Sequence, residues 1–406
     1  MDLDFDAETV AFRDEARAWL RAHVPDPPLP SMDTPRGYEA HRAWERSLSD
    51  ARLSVVTWPS EYGGRDAPLQ QWLVFEEEYH AAGAPARVSQ NGISLLAPTM
   101  FAHGTPSQLA RYLPPMAHAD EVWAQAWSEP EAGSDLAALR SRARRVDGGW
   151  SLSGQKTWSS RAAYADRGFG LFRTDPSASR HHGLTYFLFD LRASGVTVRP
   201  IPQLDGEPGF AEIFLDDVFV PDSDVLGGVG DGWRVAMSTA SNERGLSLRS
   251  PGRFLAAASR LVSLWRSRGA PQDSADRVAD TWIGARAYQL QTFETVTRLR
   301  AGGSLGPESS VGKLHWSELD VALHETALDL LGPDGELASP WLDGYLFSLA
   351  GPIYAGTNEI QRNIVAERLL GLPKEPRPQP RQPRPEDRQE PRPALEPPED
   401  RPEVGR

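Results

Sequence analysis

The apolar positions along the chain change period twice. From residue 5 to about 120 they recur with helical spacing. Phe5, Val10, Phe12, Ala16 and Leu20 suggest one stripe, and Leu73, Val74 and Phe75 fall in a second, glutamate-rich helix. Pro25-Asp26-Pro27-Pro28 and Tyr62-Gly63-Gly64 punctuate this block. From about 121 to 225 the period becomes two. Arg144-Arg145-Val146 and Trp150-Ser151-Leu152 flank Asp147-Gly148-Gly149, which predicts a hairpin, and strands are expected at 168–173, 184–191, 196–201 and 212–220. From 232 to 373 helical spacing returns, broken at Gly302-Gly303, Gly306-Pro307 and Gly332-Pro333. Helix, strand, helix predicts an α+β chain with a small antiparallel barrel or sandwich between two helical parts.

The last 33 residues, 374–406, contain ten prolines and almost no large apolar side chains. Such a segment has nothing to bury, so it is expected to be a disordered or polyproline-II tail. The expected domains are therefore 1–120, 121–231 and 232–373, followed by that tail. The 406 residues are ample for a buried core. No run of 18 apolar residues occurs, which speaks against a membrane span, and the acidic start Met1–Asp6 speaks against a secretory signal. A cytoplasmic location is the expectation. The net charge of −13 argues against nucleic-acid binding, and the tail, with eight basic and eight acidic residues, leaves that excess on the body.

With no cysteine, thiol nucleophiles and thiolate metal sites are excluded. The histidines form no metal-binding pair, and His181-His182 reads as surface. No G-x-S-x-G elbow occurs. Gly228-Val229-Gly230-Asp231-Gly232 lacks the dinucleotide spacing and reads as a turn before a helix. Three segments carry more. Trp127-Ser128-Glu129-Pro130-Glu131-Ala132-Gly133-Ser134-Asp135 closes a strand with a stiff, hydroxyl-bearing loop. Gly154-Gln155-Lys156-Thr157-Trp158-Ser159-Ser160 places an indole where it can pack in a core or stack on a planar ring. Gly351 to Asn363 is a glycine turn opening an amphipathic helix, whose free N–H groups suit polar cofactor atoms.

Together these segments, with Tyr62-Gly63-Gly64, resemble the acyl-CoA dehydrogenase family from about residue 5 to 373. The resemblance implies an N-terminal helical domain, a central antiparallel β-barrel and a C-terminal four-helix bundle. It implies FAD as cofactor and α,β-desaturation of an acyl thioester. A carboxylate takes the α-proton while the β-carbon passes hydride to flavin N5. In many members that carboxylate follows the tyrosine of the Tyr-x-Gly-Thr turn; here Ala355 stands there and cannot accept a proton. A second branch carries the glutamate on the first long C-terminal-domain helix, before an arginine, and Glu243-Arg244 occupies that place. Glu243 is the expected base.

Carried over by position, the resemblance puts Gln125, Trp127, Ser128, Trp158, Ser160, Thr357 and Glu359 on FAD. Ser134 and Arg244 fall to the acyl-CoA, and Tyr354 and Ala355 to the acyl pocket, where a small residue favours a branched or bulky chain. The implied partners are an acyl-CoA or acyl-carrier thioester, an electron-transfer flavoprotein, and further subunits in a homo- or hetero-oligomer, a dimer or tetramer. Two departures stand out. The stretch Trp265 to Gln272 lacks the family's Arg-x-x-Phe-Gly spacing, and Asp329 replaces a glutamine on the pyrophosphate side. A carboxylate there repels a pyrophosphate. Two rival readings stay open: a catalytically silent subunit completing the FAD site of a paired chain, and a flavin oxidase or monooxygenase on the same fold.

Overall fold

The computed structural model describes residues 4–243 and 250–374. Its N-terminal helices are α1 (Ala7–His23), α2 (Pro35–Asp50), α3 (Leu69–Ala81), α4 (Ala97–His103) and α5 (Pro106–Ala117). Local chemistry fixes their starts. Asp6 accepts from Thr9 N, Thr34 accepts from Gly37 N, and Thr105 and Gln108 cap each other reciprocally. Phe12, Ala16 and Leu20 are buried in a core shared with α2 and α3. Val10 is 43% exposed, a correction to the expected stripe. It stands two residues, about 200° of helix, from Phe12 and so faces the other way.

The middle of the chain is one sheet with strands β1 (Trp123–Ala126), β2 (Arg142–Val146), β3 (Gly149–Ser160), β4 (Arg167–Arg173), β5 (Leu184–Asp190), β6 (Val196–Ile201), β7 (Phe210–Pro221) and β8 (Val225–Leu226). The order is β6-β7-β3-β2-β4-β5-β8, with β1 parallel on β4. Most pairings are antiparallel, and β2 and β3 form the expected hairpin across Asp147-Gly148, with Gly148 at φ +74°. The central strands are apolar on both faces. Phe169, Leu171, Tyr186 and Leu188 pack toward α4 and α5, while Phe172, Phe187 and Phe189 join Trp150, Ile213 and Val218 in a second core. A period of two with both faces covered produces near-continuous hydrophobic runs.

The remaining helices are α6 (Gly232–Glu243), α7 (Pro251–Ser267), α8 (Ala275–Arg300), α9 (Ser309–Leu331), α10 (Pro340–Ser348) and α11 (Asn358–Ile364). The expected turn before a helix is found at 228–231: Gly230 N donates to Thr185 Oγ1 at 2.9 Å just before α6 begins. Val235 and Ala236 bury α6 in the core of α4, α5 and the sheet, whereas α7, α8 and α9 pack on one another around Phe254, Ala285 and Leu323. α7 also lies on α3. A Cβ on Gly252 would stand 2.6 Å from the Glu76 carbonyl oxygen, so only glycine permits this approach. On the other flank the buried Arg42 of α2 reaches Asp166 at 3.0 Å and the Ala119 carbonyl at 2.7 Å, tying the N-terminal helices to the sheet. Among the described residues, no helix is long and apolar enough to cross a membrane.

Candidate active site

The end of β1 presents two donors with no acceptor. Gln125 Nε2 and Trp127 Nε1 are both buried and neither has a hydrogen-bond partner among the described residues. Each such group costs about 1–3 kcal/mol when left unpaired, so a pair at one strand end is a place for a bound polar group. Trp127 is fixed edge-on to Tyr186, at 6.5 Å and 88°. After it the chain turns back on itself through reciprocal Glu129 and Ala132 backbone bonds. The turn leaves Ser134 exposed and Ser128 half-buried.

Opposite lies a bulge in β3. Between the pairs Lys156↔Ile213 and Ser159↔Ala211, β3 advances three residues while β7 advances two. Trp158 sits at the bulge with φ +59°, a left-handed conformation that costs a non-glycine residue about 1–2 kcal/mol. Lys156 and Ser159 on either side are fully buried, yet Trp158 is 60% exposed. Its ring packs edge-on against Phe210, at 6.1 Å and 83°. Ser160 follows, half-buried and paired with Phe210. An exposed indole plane beside two unpaired N–H donors is a donor set that fits an isoalloxazine ring.

The helical side is the turn between α10 and α11. Tyr354 stacks on Trp316 of α9 at 5.9 Å and 27°. Ala355 and Gly356 are both left-handed, at φ +57° and +77°. The buried Gln361, which the resemblance gave no role, donates from Nε2 to the carbonyls of Ala355 at 3.0 Å and Gly356 at 3.2 Å, which locks this turn. Thr357 caps α11 by accepting from Ile360 N at 3.3 Å. Glu359 is exposed in the first turn; its own backbone N–H, with help from Thr357, holds its carboxyl below the usual range. Asn358 is buried and accepts from Lys313 Nζ at 2.7 Å and Ser317 Oγ at 3.1 Å. Gln361 lies within the Gly351 to Asn363 segment marked in the sequence, whereas nothing local marked Lys313.

Glu243 is the last described residue of α6, one turn after Thr239, whose hydroxyl lies 2.9 Å from Thr99 Oγ1 and 3.2 Å from the Tyr186 hydroxyl. The Glu243 side chain and all of Arg244 lie outside the described residues. The stretch from Trp265 to Gln272 ends α7 and folds into a closed turn, with Trp265 Nε1 on the Pro271 carbonyl. Asp329 is exposed and paired with Arg277 at 2.5 Å.

Family models for the acyl-CoA dehydrogenase N-terminal, middle and C-terminal domains match residues 6–120, 124–218 and 230–370. The chain belongs to the acyl-CoA dehydrogenase family. It is similar to acyl-CoA dehydrogenase IpdE1 of Mycobacterium tuberculosis (strain ATCC 25618 / H37Rv), 40% identical over 90% of this chain and 98% of that one. Among solved structures it is similar to the Tcur3481-Tcur3483 steroid ACAD, with TM-score 0.82 and 27% identity over 92% of this chain and 100% of that one. The ChsE4-ChsE5 complex from Mycobacterium tuberculosis gives TM-score 0.78 and 26% identity, covering 92% and 100%. The α+β fold, with helical ends and an antiparallel-rich middle, is thus that of the family. Membership makes the chain an FAD-dependent oxidoreductase of acyl-CoA dehydrogenase type.

Proposed function

We propose that this acyl-CoA dehydrogenase desaturates the α,β bond of a bulky acyl-CoA with Glu243 as the base that removes the α-proton. The observation that carries the assignment is the pairing of a vacancy with a candidate. Ala355, in a turn locked by Gln361, has no group to accept a proton, and α6 carries Glu243 one turn beyond the anchored Thr239. A general base for this step requires a carboxylate shielded from water, because desolvation raises its pKa toward the working range. Bound FAD supplies the hydride acceptor. Trp158 would lie against its ring and Ser160 would approach N5. Gln125, Trp127 and Ser128 would meet the pyrimidine edge, and Thr357 and Glu359 the adenosine side. Ser134 and Arg244 would contact the CoA arm. Tyr354 and Ala355 would line the acyl pocket, and electrons would leave to an electron-transfer flavoprotein.

A polycyclic, steroid-derived acyl group is the substrate class this reading favours. Its supports are the small side chain at 355 and the likeness to a protein titled a steroid ACAD. The test is anaerobic bleaching of the flavin band by linear, branched and steroid acyl-CoAs. Glu243→Gln should retain the yellow colour and lose substrate-dependent bleaching; bleaching at the parent rate sinks the base assignment.

One observation favours a second reading, in which the chain shares its FAD with a different family subunit. Asp329 sets a carboxylate where the family carries a glutamine and already engages Arg277, and the 265–272 stretch lacks the family's arginine spacing. The solved two-component complexes make the arrangement concrete. A colourless chain that turns yellow only when coexpressed with another family member decides for it.

A further inference from the structure

Lys156 is a fully buried ammonium with no assigned part in the chemistry. An ammonium has three donors, and all three are used. Nζ donates to Glu129 Oε1 at 2.8 Å, to the Leu171 carbonyl at 2.8 Å and to the Trp127 carbonyl at 3.4 Å. Glu129, 8% exposed, in turn accepts from Arg140 N at 2.6 Å and Ser141 N at 2.9 Å. One further bond crosses the same seam, from Thr157 N to the Ser128 carbonyl at 2.9 Å. The three acceptors of Lys156 therefore come from the loop after β1, from β4 and from the peptide that carries Ser128. Lys156 itself lies two residues before the left-handed Trp158.

Burial of an ion pair is weak evidence of a stability role, because an apolar pair of similar volume commonly serves a fold as well. Its geometry here is specific to position. The pair spans the two segments that end in the unpaired donors Gln125 and Trp127 and in the exposed ring of Trp158. We propose that Glu129 and Lys156 are positioning residues for the flavin: the pair clamps the loop after β1 onto the β3 bulge and so sets the spacing between the donors and the indole plane. It acts on the cofactor through Trp127, Ser128 and Trp158, not by contact. The proposal rests on the reading of these segments as the flavin site.

The test compares Lys156→Met with the double substitution Lys156→Met/Glu129→Met. The single variant leaves a buried carboxylate without its cation and should melt well below the parent. The double variant removes both charges and should recover most of that loss. If the clamp positions the flavin, the double variant still binds FAD at least tenfold more weakly than the parent, and its bound flavin shows an altered visible circular dichroism band. It also loses amide-exchange protection at Thr157, Arg140 and Ser141. A double variant with the parent FAD dissociation constant and flavin spectrum overturns the proposal, as does unchanged exchange at Thr157. A parent chain that takes up no FAD under any reconstitution sinks the flavin-site reading instead, and exchange at Thr157 then decides the clamp alone.

Discussion

Trp158 and Ala355 occupy the same left-handed backbone region, at φ +59° and +57°, one in the sheet and the other in the helical part. At Trp158 the strain turns a large ring out of a sheet whose flanking residues are fully buried. At Ala355 it presents only a methyl group and backbone, in a turn held by Gln361. On the sheet side, conformation displays a side chain; on the helical side, it displays the chain itself. Strain of this kind persists only where surrounding contacts over-determine it. The difference predicts that the base, absent from the turn, comes from elsewhere, which is the role proposed for Glu243.

Moving the base across the site is the strongest way to break this comparison. Glu243→Gln should lower the rate of substrate-dependent flavin reduction by about 10²–10⁴-fold, the usual worth of a general base. Adding Ala355→Glu to that variant should restore part of the rate, because the turn already holds the backbone that many family members give to a glutamate. A double variant as slow as the single one means that the 355 position does not face the α-carbon.

The helical side also leans on a buried charge. Arg253 of α7 meets Asp320 of α9 at 2.8 Å, and Asp320 is only 1% exposed. Burial pushes the Asp320 carboxyl up, but the Arg253 guanidinium and a His324 hydrogen bond outweigh it and hold the carboxyl below its usual range. The pair's stabilisation is therefore present above the ordinary carboxylate range, near pH 4, and is lost as pH falls below it. Arg253→Met should cost about 3–5 kcal/mol at pH 7 by leaving a buried charge uncompensated. In that variant the guanidinium that opposed burial is gone and the carboxyl rises relative to the parent, so the deficit should narrow as pH falls from 7 to 4. Denaturant titrations across that range check both sign and size.

The strain at Trp158 gives a smaller and sharper test. Trp158→Gly removes a ring that is 60% exposed and relieves a conformation that glycine adopts freely. The flavin-free protein should gain about 1 kcal/mol of stability. The loss of stacking, about 0.5–1.5 kcal/mol, should weaken FAD binding by about 2–10-fold. Stability and affinity moving in opposite directions separates a functional platform from a packing residue. If both fall together, the indole supports the sheet after all.

Legibility in the sequence followed the same divide. The strands, with 168–173 and 184–191 observed as Arg167–Arg173 and Leu184–Asp190, were plain because apolar alternation and turn glycines are local signals. The three segments on the site were legible as residue types at fixed spacing. Their conformation was not. Nothing local announces that Trp158 is turned outward, because the bulge depends on pairing with β7, more than fifty residues along the chain. Lys156 and Lys313 were likewise opaque, since each acts through partners brought near only by the fold. Val10 erred in the other direction, an apolar residue on a helix whose neighbours happen to cover a different face.

The weakest expected effect bears on the least family-like element. Asp329 and Arg277 form an exposed pair, so Asp329→Gln should change stability by no more than about 0.5 kcal/mol. Its effect on FAD is the sharper readout. Removing a carboxylate that faces a pyrophosphate through solvent relieves about 1 kcal/mol, or about fivefold in affinity, and frees Arg277 to meet the phosphates. Such a gain should be largest at low salt and should vanish toward 1 M, where the screening length falls to about 3 Å. A salt-dependent gain places this chain's own α9 beside the pyrophosphate. No gain at any ionic strength means that another subunit supplies that end of the cofactor, leaving the sheet side as this chain's share of the flavin site.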